Sequence, residues 1–410
     1  MKKHNIAACV LLMLAFLLPC AGCLQGVSLD EYGYVLTIGV DQGEQKKFNI
    51  SFLLQKEGDS QEAQTGAGAE IITAEGDNLF DAMMVAHAGV PYELNFTRMN
   101  FIAFSDQIAS SALMDEFLSI SFSALKIRQS AKLVVVRGVC RDYLDGFSSM
   151  NIPNVAKRQY SYFQMYEREG IIPITNYATY QEAIASGCFD VALPVGRLDR
   201  SISAEPDGEK DSGKSGQKQG EAETNDKETT DGVKREGGLR SYIHGSALFN
   251  GSRLAGLLDD EDTEMLLLGM GQFENGYLRV SDEKGTVVFL LKRNGAPHVQ
   301  MKLGDAPHAA MEFQLHAEIE LDTSGNAEKR WEGELKEQLE QYIEQELDRV
   351  FALCQMLDSD AMRFGCYARK QFSSADAWRD YAWKEKYRHM TAEFSVSVGL
   401  NDRAVSSHIE

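Results

Sequence analysis

The most reactive side chain in this sequence is a thiol placed near its start. Residues 1–23 read MKKHNIAACVLLMLAFLLPCAGC. Lys2 and Lys3 give a positive beginning, Ile6 to Leu18 is apolar, and the small pair Ala21–Gly22 stands directly before Cys23. The apolar run is too short for a bilayer span, which takes roughly 20 residues, and it fits the core of a secretory signal. The order has the form of a bacterial lipobox, with Cys20 where leucine is usual. The chemistry is thioether formation. The Cys23 thiol would take a diacylglyceryl group, and cleavage after Gly22 would make it residue one, held at the membrane by acyl chains such as palmitate. One chain holds a protein marginally and two hold it stably. The reading set against this is an ordinary signal peptide with an incidental cysteine.

The other reactive residue types are scattered. Cys140, Cys188, Cys354 and Cys366 lack CxxC spacing. Four cysteines allow three pairings, and buried free thiols are the favoured reading. The eight histidines show no HExxH or HxH spacing, and His298 and His308 fall in expected loops with no acidic ligand pattern framing them, so no metal or cofactor is expected. The chain carries no GxSxG elbow, Walker loop or SxxK. GMGQFENG, with Gly269, Gly271 and Gly276, misses GxGxxG spacing and reads as a helix end and a turn. No catalytic residue is assigned.

Charge narrows the partners. The net charge is −20, and loss of Lys2 and Lys3 with the signal takes it two units lower. That argues against nucleic acid and against adhesion to anionic headgroups. With 44% hydrophobic residues the chain has an ordinary globular composition, and 410 residues allow two or three domains.

The elements that would position these residues follow from periodicity. YVLTIGV and FNISFLL alternate and flank the turn DQGEQKK, which predicts a hairpin over 34–54. GDNLFDAMMVAHAG predicts a helix capped by Asp77 or Asn78, with Leu79, Met83 and Ala86 on one face. MNFIAFS and AKLVVVRG are expected strands, separated by a helix opened by Ser105 and Asp106 that carries Ile108, Leu113 and Phe117. Helices are expected at CRDYLDGF, SYFQMYEREG and YQEAIASG, then a strand at FDVALPV. Residues 201–238 contain no aromatic and almost no apolar side chain, too little to offset ordering entropy, and read as a disordered linker or insert. SYIHGSALFNGSRLAGLL predicts a hairpin turning at Asn250–Gly251. TEMLLLGMG predicts a helix, and strands are expected at 286–291 and 311–321. A long helix over 328–357 would bury Leu335, Leu339, Tyr342, Ile343, Leu347, Val350, Phe351 and Cys354. TAEFSVSVGL closes the fold as a strand. The fold class is therefore α+β (mixed α/β), with sheets covered by helices and a C-terminal domain that sets a long amphipathic helix against an antiparallel or mixed sheet. The expected boundaries are a signal peptide at 1–22, an α/β region of one or two subdomains at 23–200, the linker at 201–238, a C-terminal domain at 239–402 and a tail at 403–410.

The last third carries a recognisable order: DSDAMRFGCYARKQF, then ADAWRDYAWKEKY, then AEFSVSVGLNDRAVSS. Together with GSALFNGSRLAGLLDDEDT, the lipobox and DEYGYVLTIGVDQGEQKKFNISFLL, it resembles the Ger(x)C family of spore germination lipoproteins, the C subunits of nutrient germinant receptors. Asp360, Phe364, Gly365, Arg369, Lys370 and Trp383 stand at the family's signature positions. Cys366, where a small residue is more usual, and the long insert depart from the pattern. Read as residues, Gly365 would serve a turn needing positive φ, Phe364, Trp378 and Trp383 would be core or seam, Asp360 would cap the segment after the long helix, and Arg369 and Lys370 are candidate partner contacts.

The resemblance implies about three mixed α/β domains and no enzymatic activity. It implies lipid attachment on the outer face of the cell membrane, at the spore inner membrane, beside membrane-embedded A and B subunits. It also implies a part in assembly and signal coupling when a nutrient triggers germination. The rival readings are a solute-binding lipoprotein of a transporter, which two unequal halves do not suggest, and a surface hydrolase, for which no nucleophile set is found.

Overall fold

In the computed structural model, the structure describes residues 32–55, 69–124, 127–148, 155–198, 241–323, 325 and 327–400. The signal peptide with Cys23, the insert at 201–238 and the tail at 403–410 lie outside the described residues.

The first half follows a hairpin with parallel crossovers. Strands β1 (Tyr32–Gln42), β2 (Phe48–Gln55) and β3 (Ala69–Gly76) pair antiparallel in turn. Helix α1 (Leu79–His87) then runs back along the sheet, capped by the Asn78 side chain on Asp81 N. The short β4 (Glu93–Asn95) lies parallel to the start of β1, and β5 (Phe101–Ser105) lies parallel to β1 further along. Helices α2 (Asp106–Ala109) and α3 (Leu113–Ala124) lead to β6 (Lys132–Val136), parallel to β5. The single helix expected after Ser105 is thus two, with the break at residues 110–112. Helices α4 (Cys140–Ser148), α5 (Val155–Arg168) and α6 (Tyr177–Ser186) precede β7 (Ala192–Leu198). Every residue of β5, and every one of β6 but Lys132, is buried, as expected of parallel strands covered on both faces.

Strands β8 (Ser241–Asn250) and β9 (Arg253–Leu258) form the expected hairpin, and β8 pairs antiparallel with β7. The first sheet therefore has nine strands in the order β3-β2-β1-β5-β6-β7-β8-β9, with β4 on β1, and it takes strands from both sides of the 201–238 insert.

The second half is a smaller α+β unit. Helix α7 (Asp260–Gly269) is followed by β10 (Asn275–Asp282), β11 (Gly285–Arg293), β12 (His298–Lys302) and β13 (His308–Asp322). His298 and His308, expected in loops, open β12 and β13. The strand expected at 311–321 begins three residues earlier, at His308, and β12 alternates over only five residues, too short a run to stand out before its pairing with β13 is seen. Strands β3, β10 and β12 were likewise not legible. Helix α8 (Ala327–Arg330) continues through one π-helical turn, Trp331–Leu335, into α9 (Lys336–Met356). Then come α10 (Phe364–Arg369), α11 (Ala375–Tyr381), α12 (Trp383–Tyr387) and β14 (Thr391–Leu400), which pairs parallel with β13. The second sheet is thus mixed, and the α+β class holds.

Helix α9 buries Leu339, Ile343, Leu347, Val350, Phe351 and Cys354. Tyr342, expected in this stripe, is 40% exposed, because it sits at the margin of the apolar arc. The same helix guards the sheet edge. Val396 N and Val398 N on β14 donate to Glu344 Oε1 and Glu340 Oε1, each at 2.8 Å, so outward donors of an edge strand are satisfied rather than left as a template for pairing.

Candidate functional site

The signature residues meet residues of the first half in one buried seam. Asp360 lies in the turn between α9 and α10 and is 3% exposed. Its Oδ1 accepts from Phe364 N at 2.9 Å, and its Oδ2 accepts from Gly365 N at 2.7 Å and from Trp383 Nε1 at 2.9 Å. The carboxylate thus supplies the acceptor that the first turn of α10 lacks. Burial pushes its carboxyl up to about 7, against the pull of the Gly365 and Trp383 donors, and nearby Asp190 adds to the rise.

Asp190 comes from the first half, between the left-handed Gly187 that ends α6 and strand β7. Its N donates to Asp360 O at 3.1 Å, and Asp360 N donates to Asp190 Oδ2 at 2.9 Å. Asp190 Oδ1 accepts from Gly251 N at 2.7 Å, in the β8–β9 turn, and pairs with Lys384 Nζ at 3.0 Å. Lys384 also bonds Asn250 Oδ1, and Asn250 Nδ2 donates to Asp358 Oδ2 at 3.0 Å. Arg388 holds Asp358 through Nε at 2.9 Å and Nη2 at 2.6 Å, which keeps the Asp358 carboxyl below its usual range. Tyr387 closes the far side, its hydroxyl donating to Ser359 O at 2.9 Å.

Aromatic rings pack around this polar core. Trp378 and Trp383 stack at 6.0 Å, and Trp378 Nε1 reaches Ser186 O at the end of α6 at 3.2 Å. Phe364 is fully buried with its ring edge-on to Phe351. The backbone is held tightly: Asp358, Arg363 and Ala382 have φ of 53°, 65° and 53°. Non-glycine residues adopt this region at a cost and persist there only when their surroundings hold them.

Gly365 differs from the expectation of a positive-φ turn. It lies inside α10 with ordinary backbone, and what excludes a side chain is contact. A Cβ there would stand 2.2 Å from Cys188 O and 2.4 Å from Trp383 Nε1. Arg369, half-buried, donates from Nη1 to Phe372 O at 2.8 Å, while Lys370 is exposed with its ammonium 4.8 Å from the centre of the Tyr367 ring. Cys140, Cys188 and Cys354 are buried free thiols, and Cys366 is a half-buried one.

The seam has almost no room. The cavity lined by Asp190, Asp358, Asp360, Trp383 and Lys384 measures about 10 Å³, the space of a single water. Among the described residues, no group of three or more His, Cys, Asp or Glu side chains could hold a metal ion. Two larger hollows are open. One of about 440 Å³ lies beside Gln164, Met165, Arg168 and Ile174, and one of about 570 Å³ lies along His87–Glu93.

Sequence comparison places both sides of the seam. The family described as "Spore germination protein N-terminal domain" matches residues 25–198, and the family described as "Spore germination B3/ GerAC like, C-terminal" matches residues 244–403. The chain belongs to the Ger(x)C family, the C subunits of spore germinant receptors. A solved structure described as "Crystal Structure of the GerBC protein" superposes with a TM-score of 0.52, over 88% of this chain and 96% of that chain, at 13% identity. At that identity the likeness is one of fold. No curated protein matches the sequence. In Ger(x)C terms, Asp190 belongs to the N-terminal match, and Asp358, Asp360, Trp383 and Lys384 to the C-terminal one. The seam joins the two. Asp190, Asn250, Asp358 and Lys384 were missed in the sequence, where only the NG turn at 250–251 drew notice.

Proposed function

We propose that this protein is a lipid-anchored, non-catalytic C subunit of a nutrient germinant receptor, acting in receptor assembly and signal coupling. The chain would be cleaved after Gly22 and held by a diacylated Cys23 on the outer face of the membrane, the spore inner membrane, beside membrane-embedded A and B subunits. The observation that carries this reading is the Asp190–Asp360 seam within a family of germinant receptor subunits. A seam with space for one water favours a rigid coupling body over a nutrient site. It ties the first sheet to the helices after α9, so force on either half reaches the other. Arg369 and Lys370, at the surface of the signature segment, are the residues we assign to partner contact.

The test is co-purification. Affinity capture of this chain from detergent-solubilised spore membranes should bring down both membrane-embedded subunits, and Cys23→Ala should sharply reduce the yield, since anchoring raises the effective concentration at the partners. Capture of the intact chain without either subunit would contradict the proposal. Gene neighbourhood separates the rivals: receptor membrane genes support this reading, and permease genes would favour a solute-binding lipoprotein.

A further inference from the structure

Helix α1 carries apolar side chains on both faces. Its inner face buries Leu79, Ala82 and Ala86. Its outer face exposes Phe80, Met84 and Val85 at 48%, 56% and 57%, and Ala88 continues the stripe in the exposed turn that follows. Apart from Asp81 and His87 the helix is apolar on both faces, and an apolar outer face is normally buried or set in a membrane. From Ala82 to Tyr92 the sequence AMMVAHAGVPY holds no Asp, Glu, Lys or Arg, in a chain that is 25% charged. Asp81 in the first turn is exposed on the same face, held by Asn78 Nδ2 at 2.8 Å; the rest of the exposed face is apolar, and such a patch marks an interaction surface.

The position of the patch says what covers it. Tyr32 is the first residue of β1 and pairs with Glu93, and Gly33 pairs with Leu94. Leu94 N donates to His87 Nε2 at 3.2 Å, and the Tyr92 ring occupies the space where a Gly33 Cβ would stand. The end of α1 and the 88–92 turn are therefore immediate neighbours of the point where the chain enters the fold. Eight residues separate Cys23 from Tyr32, and even a fully extended segment of that length spans at most about 30 Å. A lipid on Cys23 would keep the bilayer within that reach of the patch. At such short range a surface of weak intrinsic affinity is occupied most of the time.

We infer that the outer face of α1, Phe80, Met84 and Val85, with the Val90–Pro91 turn, rests in the interfacial layer of the bilayer as a second membrane contact beside the lipid on Cys23. The inference rests on the anchor reading above. Insertion is apolar rather than electrostatic, because the patch carries no cation and the chain is acidic, and Asp81 at the helix start stays at the level of the headgroups. It orients the first sheet, with the start of β1 and the α1 face toward the lipid. The lipid, with its two acyl chains, supplies stable attachment, and the helix supplies orientation.

The test places a tryptophan at the patch. The full lipoprotein carrying Met84→Trp is reconstituted into phosphatidylcholine vesicles with and without brominated phosphatidylcholine. The control is Tyr277→Trp, at a position 65% exposed on β10. Vesicle flotation first reports whether the chain is anchored. After subtraction of the parent chain's emission, which comes from Trp331, Trp378 and Trp383, the inference expects the Met84→Trp signal to be blue-shifted and to lose more than half its intensity with brominated lipid, equally in low and high salt, while the Tyr277→Trp signal does neither. A chain that floats yet keeps a water-like, unquenched Met84→Trp signal overturns this inference and leaves the anchor standing. A chain that does not float overturns the anchor and this inference with it. A blue shift that grows with protein concentration without lipid assigns the face to a second copy. One that appears only when the membrane-embedded subunits share the vesicle assigns it to them. Either result also overturns the inference.

Discussion

Asp190 and Asp360, 170 positions apart, exchange hydrogen bonds in both directions: Asp190 N to Asp360 O at 3.1 Å and Asp360 N to Asp190 Oδ2 at 2.9 Å. Each residue then satisfies other orphaned donors, Gly251 N and Lys384 for one, and Phe364 N, Gly365 N and Trp383 Nε1 for the other. Beside the β7–β8 pairing, this pair is a second place where the two matched Ger(x)C segments are locked together.

Removing either carboxylate leaves buried donors without acceptors. Asp360→Ala should lower unfolding stability by about 3–5 kcal/mol and Asp190→Ala by about 2–4 kcal/mol. Because the two share one network, the double variant should lose about 1–3 kcal/mol less than the sum. Urea unfolding of the four proteins measures this. Additive losses would mean that the two carboxylates act separately.

The seam should also give stability a pH dependence of known sign. Burial raises the Asp360 carboxyl from its ordinary 3.8 to about 7, so folding favours its protonated form. Its contribution is full below the unfolded value and is lost as pH rises through about 7. The stability advantage of the wild type over Asp360→Asn should therefore shrink between about pH 5 and 8 and change little above that. Glu264, also pushed up to about 7 by burial, is present in both proteins and cancels. Thermal melts across this range decide it, and an advantage that grows with pH would reverse the assignment.

Two backbone positions carry opposite expectations. Gly365→Ala forces a methyl group against Cys188 O and Trp383 and should cost at least about 2 kcal/mol. Ala382, at φ 53° between α11 and α12, is strained, and Ala382→Gly should gain about 0.5–1 kcal/mol. Equal and small effects at both sites would show that neither constraint matters to stability.

Much of this fold was legible in the sequence. Its elements announce themselves by period: the β1–β2 hairpin, the buried run of β6, the NG turn of β8–β9 and the stripe of α9. What escaped was set by tertiary partners. β12 alternates over only five residues, and its pairing with β13 fixes it as a strand. Trp331–Leu335 becomes a π turn inside a segment whose pattern says only helix. At the seam, the spacing of DSDAMRFG pointed to Asp360, yet no local pattern marks Asp190 as its partner, and the close approach of Cys188 O to Gly365 cannot be read from either neighbourhood.

The thiols offer a simple check on the packing. Cys140, Cys188 and Cys354 are buried, and burial raises all three. Cys366 is pushed up to about 12 by burial. A disulfide-exchange reagent should react slowly with the native mature chain and titrate all four of these thiols after unfolding without reductant. Fewer than four would reveal a disulfide.

Nutrient germination tests the central claim most directly. In a strain that relies on this receptor alone, spores lacking the protein should fail to germinate with the receptor's nutrient and should germinate normally with calcium dipicolinate, which bypasses receptors. Spores carrying Cys23→Ala should behave like the deletion. Normal nutrient germination without the protein would contradict its role as a receptor subunit.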